Sequence, residues 1–227
     1  MKTFKLILLF SFLLTILALQ IKCAKTDDVE PVVSNSDANN DSTNIDSTSV
    51  TIADDTVYIN STISGFVLNE VLYDPSNIGL QGDANNDGVY VQDEDEFIEF
   101  VNNTDFCINI SKCMIYDTEN WDINSPNHQF PDSVFINPNQ AVVVFGGGEP
   151  TGSFGNALVF KSSNAVMNLN NSGDIMTFTD SSKNILIEFD TEPYSNNPNE
   201  SYTRYPDLTG PFVQHNDSSV TLFSPGT

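Results

Sequence analysis

From residue 64 onward, short apolar or alternating runs are separated by clusters of Gly, Asn, Asp, Ser and Pro. Most runs span five to nine residues and are rich in Val, Ile, Phe and Tyr, which β-strands favour. No stretch keeps a helical period over three turns. The pattern predicts an all-β sandwich or barrel. Its strands come from GFVLNEVLY, EFIEFVN, CINIS, CMIYD, DSVFI, AVVVFGG, ALVFKS, DIMTFTD, NILIEFD and SVTLF, with DSSKN as a hairpin loop between two of them.

The first 22 residues follow a different pattern. Lys2 and Lys5 precede an apolar run from Leu6 to Leu19. This positive-then-apolar order is typical of a secretory signal, and the run is short for a membrane span. We therefore expect residues 1–22 to be a signal peptide and the rest of the chain to be exported.

Cys23 is a candidate lipidation site, because the polar, acidic sequence after it suits a membrane tether. Gln20, Ile21 and Lys22 differ from the small residues that usually precede a lipidated bacterial cysteine, so plain secretion stays the alternative. Residues 23–63 consist mainly of Ser, Thr, Asn and Asp. Such a segment buries too little apolar surface to offset its conformational entropy. We expect a disordered, acidic linker, followed by one domain over residues 64–227.

The charge distribution restricts the partners of this protein. Four of the eight basic residues lie in the first 25 positions, and all 31 acidic residues lie after them, so the formal charge from Thr26 onward is 4 − 31 = −27. Nucleic acid binding depends on clustered Lys and Arg, which are absent. We expect no nucleic acid partner and contact with a membrane only through a lipid anchor. The location is then the outer membrane, the cell surface or the secreted fraction.

The stretch GDANNDGVYVQDEDEF contains six acidic side chains in sixteen residues. Counted from Asp83, it matches the calcium-loop pattern D-x-[DN]-x-[DN]-G-x5-E. The predicted ligands are Asp83, Asn85, Asp87, the Val89 carbonyl and Glu94. Gly88 permits the sharp bend, and calcium accepts six to eight hard oxygen ligands in irregular geometry. The sequence therefore predicts a Ca²⁺ site in a loop that joins two β-strands.

Further ligands for this ion are Glu70, Asp93, Asp95 and Glu96, and sequence cannot choose among them. Glu70 qualifies if its strand pairs with the strand that begins near Glu96. An empty acidic turn is the alternative, since acidic loops are common in so acidic a chain.

Cys107 and Cys113 lie six residues apart in FCINISKCM. Export permits a disulfide between them across a tight turn, provided that their Cα atoms lie within about 7 Å. Two separate buried thiols are the alternative. Neither cysteine has a nearby histidine in the sequence, so neither indicates a catalytic thiol.

The order of several motifs resembles the lamin tail domain in its bacterial, secreted form. The resemblance extends from about Phe66 to Thr227 and rests on VLNEVLYDP, GDANNDG, DEFIEFVNNT, HQFPDSVFINPNQAVVVFGGG, LNNSGDIMTFTDSSKNIL, NESYTRYPDLTGPFVQH and SPGT. It implies an immunoglobulin-like β-sandwich and a non-catalytic module. Where the family usually carries Gly-Trp, this chain has Lys112 and Cys113, which removes a core indole.

These features predict a non-enzymatic, calcium-stabilised binding or scaffolding module at the cell surface or in secreted form. Its partner is an unidentified protein or glycan. Two alternatives remain: a metal-dependent exported hydrolase and a purely structural component of the envelope.

Overall fold

The computed structural model describes residues 64–196 and 198–227. In this range the helical segments are Gln92–Asp95 (α1), Thr118–Ile123 (α2) and two 3-10 turns, Glu192–Tyr194 and His215–Asp217. The strands are Phe66–Leu72 (β1), Phe97–Asn102 (β2), Ile108–Asn109 (β3), Met114–Tyr116 (β4), His128–Gln129 (β5), Phe135–Ile136 (β6), Ala141–Phe145 (β7), Leu158–Lys161 (β8), Ile175–Thr179 (β9), Ile185–Asp190 (β10), Tyr202–Arg204 (β11) and Phe212–Gln214 (β12).

Three predictions concern residues outside this range: the signal peptide (1–22), the linker (23–63) and the lipidation of Cys23. Among the residues that the structure describes, neither helix has the length and apolar content that a membrane span requires.

The strands form two main sheets. The larger sheet has the order β12-β11-β1-β2-β7-β8, the second has the order β10-β9-β4-β5, and β3 pairs with β6. β7 and β8 run parallel, whereas the predicted hairpin around DSSKN joins β9 and β10 in antiparallel pairing. The all-β class is confirmed, and the two sheets are consistent with an immunoglobulin-like sandwich.

Aromatic side chains fill the space between the two main sheets. Phe66 and Phe100 of the larger sheet lie 5.6 and 5.0 Å from Phe178 of the second sheet, measured between ring centroids. On β7, Val142 and Val144 face this core, while the alternate residues face the opposite side of the sheet. The run AVVVF lacks polar positions because both faces of this strand are buried.

A second apolar cluster covers the outer face of the larger sheet. Its buried members are Leu72, Ala84, Phe97, Val143 and Phe145, against which Phe154, Ala157, Val159 and Phe223 pack. Phe223 belongs to SVTLF, where the predicted strand is wrong. Its ring packs edge-on against Phe97, with 6.5 Å between centroids, so this segment contributes a single apolar anchor.

Two buried glutamates on the same outer face bind the C-terminal segment. Glu70 of β1 lies opposite Glu99 of β2, and both side chains are at most 1% exposed. Glu70 accepts hydrogen bonds from the Ser224 N–H (2.9 Å) and the Ser224 hydroxyl (2.8 Å). Glu99 accepts one from the Gly226 N–H at 2.6 Å. The end of the chain is therefore fixed by two carboxylates of the central strands.

His215 completes this cluster. Its Nδ1 lies 2.9 Å from the Thr221 carbonyl oxygen, which can only accept, so Nδ1 carries a proton. Its Nε2 lies 2.9 Å from the Ser224 hydroxyl oxygen and 3.9 Å from Oε1 of Glu70. Since the imidazole is 2% exposed, the cluster is a buried support for the C-terminal segment.

The predicted disulfide between Cys107 and Cys113 is wrong. Cys113 is a free thiol that packs in the core between the sheets, and burial raises its pKa to about 12. Cys107 is buried as well.

Lys112 adopts the left-handed backbone conformation, with φ of 63°. Glycine reaches this region without the steric penalty of about 1–2 kcal/mol that other residues incur. A glycine, which the resemblance implies at this position, would avoid that penalty. The Lys112 side chain pairs with Asp132 at 3.0 Å, but both are largely exposed, so the pair adds little stability.

We predict that Lys112→Gly is more stable than Lys112→Ala by about 1 kcal/mol, because both variants lose the ion pair and only alanine keeps the strain. Urea unfolding of the two variants measures the difference. Equal stabilities would contradict the assignment of strain to this position.

We also predict that the free energy of unfolding falls between about pH 6.5 and 8. Burial and the charge of Glu70 raise the Glu99 pKa from 4.5 to about 8. Its stabilising contribution is complete below pH 4.5 and is lost as the pH rises through 8. Burial lowers the pKa of His128 from 6.5 to about 4. His128 therefore makes the free energy of unfolding rise with pH, but only below pH 6.5.

The measurement is urea unfolding in calcium-free buffer of constant ionic strength from pH 5 to 9. A stability that stays level or rises from pH 6.5 to 8 would show that Glu99 is ionised in the folded protein.

Candidate functional site

Residues 83–91 form a coiled turn whose polar side chains bind its own main chain. Asp83 accepts hydrogen bonds from the Asp87 N–H (3.1 Å) and the Gly88 N–H (3.0 Å). Asn85 accepts one from the Asp87 N–H (2.9 Å), and Asp87 accepts one from the Val89 N–H (2.9 Å). Gly88 has φ of 90°, as the predicted sharp bend requires. These bonds orient the oxygens of Asp83, Asn85 and Asp87 toward the inside of the turn.

The turn offers carboxylate and amide oxygens as metal ligands, and each oxygen keeps a further lone pair after its hydrogen bond. Such oxygens fit a hard cation. No three acidic, histidine or cysteine side chains of the described residues form a group that could hold a metal. Asp83 and Asp87 would therefore need the Asn85 amide, main-chain carbonyls such as that of Val89, and water to complete a calcium shell.

Asp95 is the acid of α1 that faces the turn. It is fully buried and accepts hydrogen bonds from the N–H groups of Asn85 (3.2 Å) and Val91 (2.8 Å). Burial raises its pKa to about 6, with a smaller contribution from the charge of Asp83. Asp95 thus joins the beginning and the end of the turn, which residue spacing alone did not indicate.

Glu94 lies on the side of the turn that contacts the β7–β8 connection. Its carbonyl accepts a hydrogen bond from the Gly147 N–H at 3.0 Å. A Cβ on Gly147 would lie 3.0 Å from the Glu94 Cγ. Glu94 therefore contacts Gly147 through both its carbonyl and its side chain, while its role as a ligand stays a prediction.

The segment GGGEPTG, residues 146–152, supports the turn from the other side. The Glu149 N–H donates to Asp87 at 3.0 Å, and the Thr151 N–H donates to the Asn85 carbonyl at 3.0 Å. A Cβ on Gly148 would lie 2.3 Å from the Asn85 amide nitrogen and 2.5 Å from an Asp87 carboxylate oxygen. Glycine is needed at residue 148 because the polar turn occupies the space of a side chain.

Asp93 and Glu96 face a polar cavity beside the turn. The cavity has a volume of about 490 Å³ and is also lined by Glu119 and Asp174. Glu96 is buried and accepts a hydrogen bond from the Leu169 N–H at 3.1 Å. Burial raises its pKa well above the ordinary value, and the charges of Asp93 and Asp174 add to this effect. The six acids of the loop are thus divided between the turn and this cavity.

Glu70 contacts the C-terminal segment. Its strand β1 pairs with β2, the arrangement that would let Glu70 approach the predicted ion. Its carboxylate, however, accepts hydrogen bonds from Ser201 and Ser224. Ser224 and His215 were not identified from the sequence, because Ser224 is 154 positions from Glu70 and no local pattern connects them.

The comparisons with known proteins agree with the motif order. The model of the Lamin Tail Domain family matches residues 59–192, more than half of the 227-residue chain. A search of curated proteins gives no match. The family is generally a non-catalytic, immunoglobulin-like module, which agrees with the two packed sheets. This chain belongs to the lamin tail domain family.

Proposed function

We propose that this protein is a non-enzymatic binding or scaffolding module, displayed outside the cytoplasm and stabilised by Ca²⁺ in the turn that begins at Asp83. Family membership supports the non-enzymatic role. The predicted signal peptide and Cys23 support export, with either a lipid anchor or plain secretion. We favour a binding role over the activity of a metal-dependent hydrolase, because the family is generally non-catalytic.

The observation that carries the calcium proposal is the internal hydrogen bonding of the turn. The side chains of Asp83, Asn85 and Asp87 each accept main-chain N–H groups of the turn itself. Such bonds hold the oxygens in one arrangement before an ion arrives, which lowers the entropic cost of binding. Bound calcium would supply positive charge to carboxylates that otherwise repel one another.

Asp83, Asn85, Asp87 and the Val89 carbonyl would hold the ion, and Glu94 is the acid that the sequence pattern adds. Asp95 supports these ligands, because it accepts hydrogen bonds from the Asn85 and Val91 N–H groups near the two ends of the turn. The turn also contacts the β7–β8 connection and buries Ala84 against the larger sheet. Ion binding would therefore stabilise the domain beyond the turn itself.

We predict that Ca²⁺ raises the thermal midpoint of the protein and that a chelator lowers it again. Extracellular calcium modules often bind in the range of about 0.1–1 mM, so the titration extends to about 50 mM. A ligand at one hundred times its Kd adds about 2.7 kcal/mol of stability. Scanning calorimetry measures the midpoint, with Mg²⁺ as the control ion because magnesium requires stricter octahedral geometry.

In the same assay, Asp87→Asn keeps the shape of the side chain but removes its charge, so we expect little response to calcium. Glu188→Gln changes an exposed acid of β10 on the second sheet and should respond as the wild type does. A wild-type midpoint unaffected by calcium and chelator would refute the calcium proposal.

A further prediction separates the two candidate acids of α1. We expect Asp95→Asn to lose most of the calcium response and Glu94→Gln to keep it, because Asp95 holds both ends of the turn in place through the Asn85 and Val91 N–H groups. Isothermal titration with CaCl₂ gives the affinity of each variant. The reverse result would assign the ion to Glu94, as in the sequence pattern.

A further inference from the structure

A β-bulge in β1 brings polar side chains together on the outer face of the larger sheet. The pairing of β1 with β2 shifts between Leu68 and Glu70. Glu70 lies opposite Glu99 in the sheet. The preceding residue, Asn69, also reaches Glu99 and donates a hydrogen bond to it at 3.0 Å. Bulges often redirect side chains next to functional sites.

Glu99 lines a cavity of about 320 Å³ at this bulge. Glu99 is 1% exposed, whereas Asp207, another lining residue, is exposed. Burial therefore increases from Asp207 at the rim to Glu99 at the inner end. Val101, Ala141 and Leu208 give the cavity apolar walls. An acidic end behind apolar walls suits an alkyl chain that ends in a positive charge.

No described Lys or Arg lies within ion-pair distance of Glu99 or Glu70. His215 lies 3.9 Å from Glu70 on the side of the C-terminal segment. The two glutamates therefore share a buried site in which positive charge is scarce. A cation that reaches Glu99 through the cavity would favour the ionised form of Glu99 beside Glu70.

We propose that this cavity binds a primary ammonium group on an alkyl stem, as presented by a lysine side chain of a partner protein. The apolar walls would contact the methylene groups, and the Glu99 carboxylate would pair with the ammonium. The site lies apart from the calcium turn, and its test needs no calcium. Failure of either proposal therefore leaves the other intact.

Binding of the ammonium is coupled to release of a proton. Glu99 has a pKa of about 8, raised by burial, Glu70 and Asp207, and a protonated carboxyl cannot form the ion pair. His215 faces Glu70 from the C-terminal side and is the other titratable group of this cluster. The affinity for an amine should rise about 50-fold from pH 6 to pH 8, as the fraction of ionised Glu99 increases.

The test is isothermal titration of the full chain with Nα-acetyl-lysine N-methylamide. We expect weak binding, with about one proton released per amine at pH 7, measured in two buffers of different ionisation enthalpy. The norleucine analogue has the stem without the ammonium and should not bind. Binding of norleucine with equal affinity, or no binding of the lysine analogue, would overturn the proposal.

Variants locate the site. Glu99→Gln should abolish binding, and Glu188→Gln, on the second sheet, should leave it unchanged. If Glu99→Gln does not fold, Asp207→Asn tests the site instead, because Asp207 is exposed. We expect Asp207→Asn to weaken binding several-fold. Unchanged affinity in both Glu99→Gln and Asp207→Asn would place the amine elsewhere. Equal binding of the arginine analogue would overturn the assignment to an ammonium group.

Discussion

Main-chain N–H groups bind the buried acids of this domain and replace the basic side chains that the sequence lacks. Only four Lys and Arg residues follow Thr26, against 31 acids. Asp95 accepts two N–H groups, while Glu96 and Glu99 accept one each. Hydrogen bonds to an ionised acceptor are stronger than neutral ones, but an N–H group carries no full charge. Burial therefore still raises the pKa of each of these three acids.

These hydrogen bonds give the loops of the domain fixed positions. The donors to Asp87 and Glu96 come from residues 149 and 169, far away in the sequence. Each such bond fixes one loop against another loop or strand. The outer apolar cluster has the same effect, because it joins Ala84 of the acidic turn and Phe223 of the C-terminal segment to one sheet. The carboxylates of the acidic loops therefore hold these loops in place, because they accept hydrogen bonds from distant parts of the chain.

The sequence predicted the features that depend on local pattern. Alternation and β-branched residues identified β1, β2, β7, β9 and β10, since strand formation follows side-chain burial. It did not identify β11 and β12, which are three residues long and lie between turn residues. SVTLF was assigned a strand because alternation cannot distinguish a paired strand from a segment with one partly buried aromatic residue, Phe223.

At the candidate site, the spacing of Asp83, Asn85, Asp87 and Gly88 correctly indicated a coiled turn, because Asn, Asp and Gly determine turn geometry locally. The position of Asp95 depends on how α1 packs after the turn, and residue spacing carries no information on that packing. The pair of Glu70 with Glu99, and their contacts with Ser224 and Gly226, depend on strand register and on residues more than 120 positions away.

The burial of Cys113 has a consequence for thiol chemistry in an oxidising environment. Disulfide exchange requires a thiolate nucleophile, and a pKa of about 12 leaves this sulfur protonated at neutral pH. The surrounding core also excludes small oxidants and other thiols. The folded protein can therefore keep Cys113 as an unreactive free thiol, and only unfolding would expose it as a nucleophile.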